Sequence, residues 1–519
     1  MNPESTKRIY LHGLVSSLSN LVVASFYSLI VVRLSLDYLG KSEYGLLSPV
    51  AQASAYISIL DLGLTVAFGR ILIDYTTGSK ERYASALRTA TLVFNLLGLI
   101  GFLAAVGICL FGAGLLSIPQ ELRTKFTRLM LAQGFLLFST FALKPISSPL
   151  IANGKHYVVY WIGTVTMAVN GAIFWLALHE GMGIYSSLVG TTTATLLSAM
   201  LLWRLSAPYR STDGVRGSFD RTIFNEVFIF AKDSMVWQIG GQTMGSLPII
   251  LATAWFALNA TADLSAGLKL VLLAVAVCTR FGDMSVTPLS LEFARGNEAA
   301  AARQMTRIAG ISGGIGVFAA IYVICANPSF LAWWMLGKVS WTWHANLSAA
   351  IWIAILTVAQ CLYGYAVISR QMKIIRWALL LECFIYVALA ALAKAHAGAS
   401  SLLWAKPVAT LAIGVFVAWR IRIHTTFDTT CLLPVIFRQS LVLAILLYPC
   451  LRASTMVSDW INEPLLAFIT NSALASLFCL LASMFLFTRE TRDDLLRVAK
   501  GSFQRIRKPD RGIDPAPTT

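Results

Sequence analysis

Residues 84–115 read ASALRTATLVFNLLGLIGFLAAVGICLFGAGL, an apolar run that carries a single charge, Arg88. A bilayer core about 30 Å thick is crossed by about 20 residues of helix, so this run spans it with length to spare. Lipid offers the backbone no hydrogen-bond partner, and a helix is the element that satisfies its own N–H and C=O groups. Fourteen such runs can be marked along the chain, the first at 11–37 and the last at 464–487. The composition of the whole agrees: of 519 residues, 57% are apolar and 13% charged, where soluble domains stand near 45–50% and about 25%. A soluble globular domain, a nucleic-acid module and a disulfide scaffold are excluded, although the net charge is +16.

Most of that charge is topological. With fourteen passes and the N-terminus inside, six of the 41 Lys/Arg fall in outside loops: Lys41, Arg123, Lys125, Lys338, Lys394 and Arg452. Nine lie within spans, and the remaining 26 fall on the inner side, eight of them in the tail from Arg489 to Arg511. The excess of inner over outer bases predicts cytoplasmic N- and C-termini by the positive-inside rule, and the inner bases suit anionic lipid headgroups. Nucleic acid is not an expected partner.

The spans divide at a polar stretch after the sixth. The sequence predicts an all-α polytopic membrane protein with about 14 transmembrane helices, two pseudo-symmetric six-helix lobes around a central cavity and two extra C-terminal helices. The segments are an N-lobe at 1–207, a cytoplasmic linker at 208–221, a C-lobe at 222–422, two further spans at 423–487 and a basic cytoplasmic tail at 488–519. An even number of spans per lobe relates the lobes by an axis along the membrane normal. The runs at 44–74 and 222–257 are longer than a straight span needs; Gly63 in the first, and Gly240, Gly241 and Pro248 in the second, are the expected bends.

The nine embedded bases carry the functional reading. They are Arg33, Arg70, Arg88, Arg128, Lys144, Lys232, Lys269, Arg280 and Lys406, against five embedded acids, Asp61, Asp233, Asp283, Glu292 and Glu382. A charge at helix centre costs about 2.5–3.5 kcal/mol to insert, so such residues face a cavity or a partner. Arg280 sits near the middle of the eighth span, and Lys269, 11 residues earlier, shares its helical stripe. Asp283 stands three residues after Arg280, where it can pair with it. Arg33, Lys144, Arg70 and Lys406 extend the basic lining. A positive lumen selects an anionic cargo, and the Arg fork suits phosphate. Among the many aromatic residues, Trp237 with Gln238 and Gln242 is placed to stack on and hydrogen-bond a sugar. Asp61, Asp233 and Glu382 are candidates for coupling a proton or sodium ion, or for structural pairing.

The eight cysteines show no CxxC and no Cys/His metal spacing, so no metal site, cofactor or catalytic residue is expected. Loops are short, which leaves no room for the large outer domain that a membrane glycosyltransferase or polymerase needs.

Tyr38-Leu39-Gly40-Lys41-Ser42-Glu43-Tyr44-Gly45-Leu46, followed by Leu60-Asp61-Leu62-Gly63-Leu64 and Arg70, resembles the polysaccharide flippases of the multidrug/oligosaccharidyl-lipid/polysaccharide exporter superfamily. Thr287-Pro288-Leu289-Ser290 and Arg295-Gly296-Asn297-Glu298 give a fainter echo in the second half. Asp37 and Tyr38 stand where that family commonly has an Arg, and Arg33 lies one turn earlier. The resemblance implies a bacterial inner-membrane flippase, not an enzyme. Its cargo would be an undecaprenyl-diphosphate-linked oligosaccharide, moved to the periplasmic leaflet for O-antigen or exopolysaccharide synthesis, with polymerase or assembly proteins as further partners. The alternatives are a multidrug/cation antiporter of the same superfamily and a non-transporting subunit of a polysaccharide assembly complex.

Overall fold

The computed structural model describes residues 3–61, 64–76, 79–116, 118–210, 215, 217–294, 298–369, 371–425 and 427–487; the side chains of 3–15, 230–239, 280–302 and a few single positions lie outside the described set. Every regular element among the described residues is helical. The order is α1 (Pro3–Ser58), α2 (Leu64–Thr76), α3 (Lys80–Leu115), α4 (Gln120–Ala152), α5 (His156–His179), α6 (Ser186–Arg210) and α7 (Arg221–Trp255). It continues with α8 (Leu258–Ala294), α9 (Glu298–Met335), α10 (Trp343–Ile368), α11 (Met372–Ala397), α12 (Ser400–His424), α13 (Leu433–Trp460) and α14 (Pro464–Leu486). Twelve helices among the described residues are long and apolar enough to cross a membrane, and α7 adds a shorter apolar stretch, Gly245–Trp255. The protein is a multi-pass membrane protein.

Local chemistry sets the helix ends. The Ser79 hydroxyl accepts from the Arg82 amide at 3.2 Å and starts α3. The Asp220 carboxylate accepts from the amides of Thr222 and Ile223 and starts α7. The turn expected between the first two spans is sharper than a loop: α1 is interrupted at one residue, Gly40, with φ 75° and ψ 177°. A Cβ added there would meet nothing within 4 Å, so it is the backbone angle that calls for glycine. The bend expected at Gly63 falls on a residue outside the described set. Immediately before it the chain leaves α-helical geometry, in a 3-10 turn at Ile59–Asp61.

Contacts divide the chain into two compact units. The first comprises Met1–Leu273, Leu331–Ser348 and Arg370–Val417; the second comprises Ala274–Phe330, Ala349–Ser369 and Ala418–Thr519. In the first, one apolar cluster gathers Phe68, Leu72, Phe94, Phe141, Ile223 and Val227, and another gathers Leu46, Ile57, Phe126, Met130 and Leu258. In the second, hydroxyls and amides tie helices together: Ser454 donates to the Cys325 carbonyl at 2.7 Å and Asn471 to the Ser329 hydroxyl at 3.1 Å. Large apolar side chains such as Leu110, Phe111, Phe384 and Phe485 are exposed, while Asn327, Asn471 and Thr410 are buried. Apolar residues outside and polar residues inside are what a lipid solvent favours.

Candidate functional site

All the geometry that follows lies within the first unit. Lys144, on α4, extends its ammonium to Asp61, with Nζ and Oδ2 3.0 Å apart. The other carboxylate oxygen of Asp61 accepts from the Thr65 amide at 3.1 Å and the Thr65 hydroxyl at 2.8 Å, which anchors the first turn of α2. The same ammonium stands 4.6 Å from the centre of the Phe141 ring and 5.9 Å from that of Phe94. Attraction to the ring faces and to the carboxylate offsets the cost of burying the charge. A proposed anion ligand and a proposed ion-coupling acid are therefore one ion pair.

A second pair joins α11 and α12. Glu382 and Lys406 are each only 4% exposed, the Thr410 hydroxyl donates to Glu382 Oε1 at 2.8 Å, and the Glu382 charge acts on Lys406.

Arg33 belongs to a different setting. Its Nε stands 3.9 Å from Asp37, which also takes Lys338 at 2.6 Å. Lys41 with Asp263 at 2.9 Å, and Lys125 with Glu43, complete a group of ion pairs near the Gly40 turn.

Lys269, on α8, has a neutral partner: its ammonium donates to the Ser28 hydroxyl of α1 at 3.2 Å. One residue on, the Leu29 carbonyl accepts from the buried Trp334 indole at 3.2 Å. Gly45 makes the close approach of α1 to the start of α8 possible, since a Cβ there would stand 2.3 Å from the Leu258 carbonyl oxygen.

Gln242 donates to Ser246 at 2.7 Å within α7. Arg280, Arg70, Trp237 and Asp233 lie in α8, α2, α7 and α7, but their side chains are outside the described residues.

The structure adds a site that the charge inventory missed. A cavity of about 300 Å³ opens among α4, α5 and α6. Its hydroxyls are Thr140 and Ser147 of α4, Thr166 of α5, and Thr191, Thr195 and Ser198 of α6. Spacings of seven on α4 and of four and three on α6 place each set on one helical face. The signal was present in Thr191-Thr192-Thr193-Ala194-Thr195, a run of hydroxyls in a span otherwise rich in Leu.

The fold and these charges define a polytopic helical protein whose membrane region holds ion-paired cations and, in Lys269, one whose partner among the described residues is a hydroxyl. Solved structures of the same fold are membrane transporters. The lipid II flippase MurJ in an inward closed conformation superposes with a TM-score of 0.67 at 12% identity, over 91% of this chain and 98% of that one. A MATE transporter of Vibrio cholerae gives 0.57 at 17% identity, over 80% and 97%. A eukaryotic MATE transporter gives 0.55 at 15% identity, over 82% and 97%. The sequence matches no protein-family model and no curated protein. At these identities the likeness establishes the fold.

Proposed function

We propose that this protein is a flippase that carries an undecaprenyl-diphosphate-linked oligosaccharide from the cytoplasmic to the periplasmic leaflet of a bacterial inner membrane by alternating access. In this reading the lobes at 1–207 and 222–422 rock about bends in the first and seventh spans, and both termini are cytoplasmic. The observation that carries it is the Lys269–Ser28 contact, 3.2 Å between a membrane-embedded ammonium and a neutral hydroxyl. A cation with a carboxylate partner is already neutralised, whereas a hydroxyl brings no counter-charge and leaves the ammonium able to pair with an incoming anion. A diphosphate is the fixed anionic part of every such cargo. Arg280 and Arg70 add to the same role by sequence position. The likeness in fold to a lipid II flippase supports a lipid-linked cargo. The antiporter reading is weakened at two of its three candidate acids, because Asp61 binds Lys144 and the Glu382 charge acts on Lys406.

Proteoliposomes that report the appearance of lipid-linked oligosaccharide in the outer leaflet test this reading. Lys269→Ala and Arg280→Ala each lower the rate by about tenfold, the worth of one charged hydrogen bond, and Lys269→Arg restores most of it. Wild-type rates in both alanine variants would sink the reading.

A further inference from the structure

We propose that the α4–α6 cavity is a saccharide site, one that receives the hydroxyl-bearing sugars of the cargo and not its phosphates. The inference rests on the flippase reading above and deepens it. Its basis is the direction of the hydrogen bonds in the cavity wall. Thr140 donates to the Leu136 carbonyl at 2.9 Å, Thr191 to Ser187 at 2.8 Å and Thr195 to Thr191 at 2.8 Å. Thr166 donates to Ile162 at 2.8 Å, and Ser147 to Lys144 at 2.8 Å. A carbonyl can only accept, so in all five the hydroxyl proton is committed to the helix's own backbone. What each hydroxyl still presents is lone pairs.

Five of the six hydroxyls in the wall therefore face a ligand as acceptors, while the sixth, Ser198, can donate or accept. The cation among the described lining residues, Lys144, has its ammonium on Asp61 at 3.0 Å. A phosphate, which is acceptor-only, meets like with like here and gains nothing. A sugar brings a donor on every hydroxyl, and its C–H face suits the apolar remainder of the lining, Leu143, Val159, Ala194 and Leu202. The cavity of about 300 Å³ stands at the lower end of the size range of small-molecule sites. It is lined by three neighbouring helices of one unit, so its shape is a property of that unit alone.

The test uses the full chain in lipid nanodiscs and two probes, undecaprenyl diphosphate bearing an N-acetylhexosamine disaccharide and bare undecaprenyl diphosphate. Ala194→Trp fills the cavity. The pair Thr166→Val with Thr195→Val keeps its shape and removes two acceptors, with thermal unfolding as the folding control. The expected result is that both variants lose affinity for the disaccharide-bearing lipid, by about threefold to tenfold per lost acceptor, while bare diphosphate binds as in wild type. Equal loss for both probes, or no loss for either, overturns the saccharide site and leaves the flippase reading standing. Failure of the wild type to bind either probe overturns the flippase reading itself. Displacement of the disaccharide-bearing lipid by tetraphenylphosphonium in wild type, abolished by Ala194→Trp, would make the cavity an organic-cation site and overturn the proposal.

Discussion

Lys144 and Lys269 are both half-buried lysines in the membrane region of the same unit, and they differ in what they touch. Lys144 faces a carboxylate and two aromatic rings; Lys269 faces one hydroxyl. The first arrangement cancels the charge and fixes a helix start, because Asp61 also holds Thr65. The second leaves the charge uncancelled. Depth in the membrane does not separate the two; the partner does, and under the proposed function it is Lys269 that would meet the cargo.

Four substitutions sharpen this contrast, in descending order of expected effect. Glu382→Ala strands Lys406 in a site where each is 4% exposed, and thermal unfolding in nanodiscs should register a loss of about 3–5 kcal/mol. The double variant Glu382→Gln with Lys406→Met recovers most of that. Asp61→Ala comes next, at roughly 3 kcal/mol, since the pair it breaks is partly open to solvent and the α2 start loses its anchor. If Asp61→Ala left stability unchanged while abolishing transport, Lys144 would be a working cation and the contrast would collapse. Lys269→Ala should cost about 1 kcal/mol of stability, one ordinary hydrogen bond, with its principal effect on transport rate. Lys41→Ala, which breaks the partly exposed pair with Asp263, should cost about 1 kcal/mol, and added salt should reduce the difference.

The helices were largely legible in the sequence. The run at 84–115 becomes α3 at Lys80–Leu115, and 464–487 becomes α14 at Pro464–Leu486, because bilayer thickness and punctuation fix span and ends without reference to packing. The pairings were not legible. Lys269 and Ser28 are 241 residues apart, and only the packing of α1 against α8 brings them together. Nor does a sequence position say whether Lys144 looks toward a lumen or toward Asp61. Arg33 illustrates the limit of counting by depth: it falls inside the span 11–37, yet it shares Asp37 with Lys338 among the ion pairs around the Gly40 turn. The hydroxyls of α6 escaped notice for a different reason. Threonine is neutral, so an inventory of charges passes over it, and only the cavity shows that Thr191, Thr195 and Ser198 share a wall.

Gly40 has one more consequence. The α-helical geometry of the first two passes is interrupted at Gly40 and again at Ile59–Asp61. Between these interruptions, Lys41 to Ser58 is helical but carries Pro49, which has no N–H to give to the Gly45 carbonyl and leaves one rung of the helix open. The chain thus contains a helical segment with a joint at each end and a weak point at Pro49 between them. One joint is a glycine beside the ion pairs of Lys41 and Glu43; the other ends in the carboxylate that grips Lys144. A displacement at one joint is therefore shared between the other joint and a bend at Pro49, where the helix already lacks a hydrogen bond.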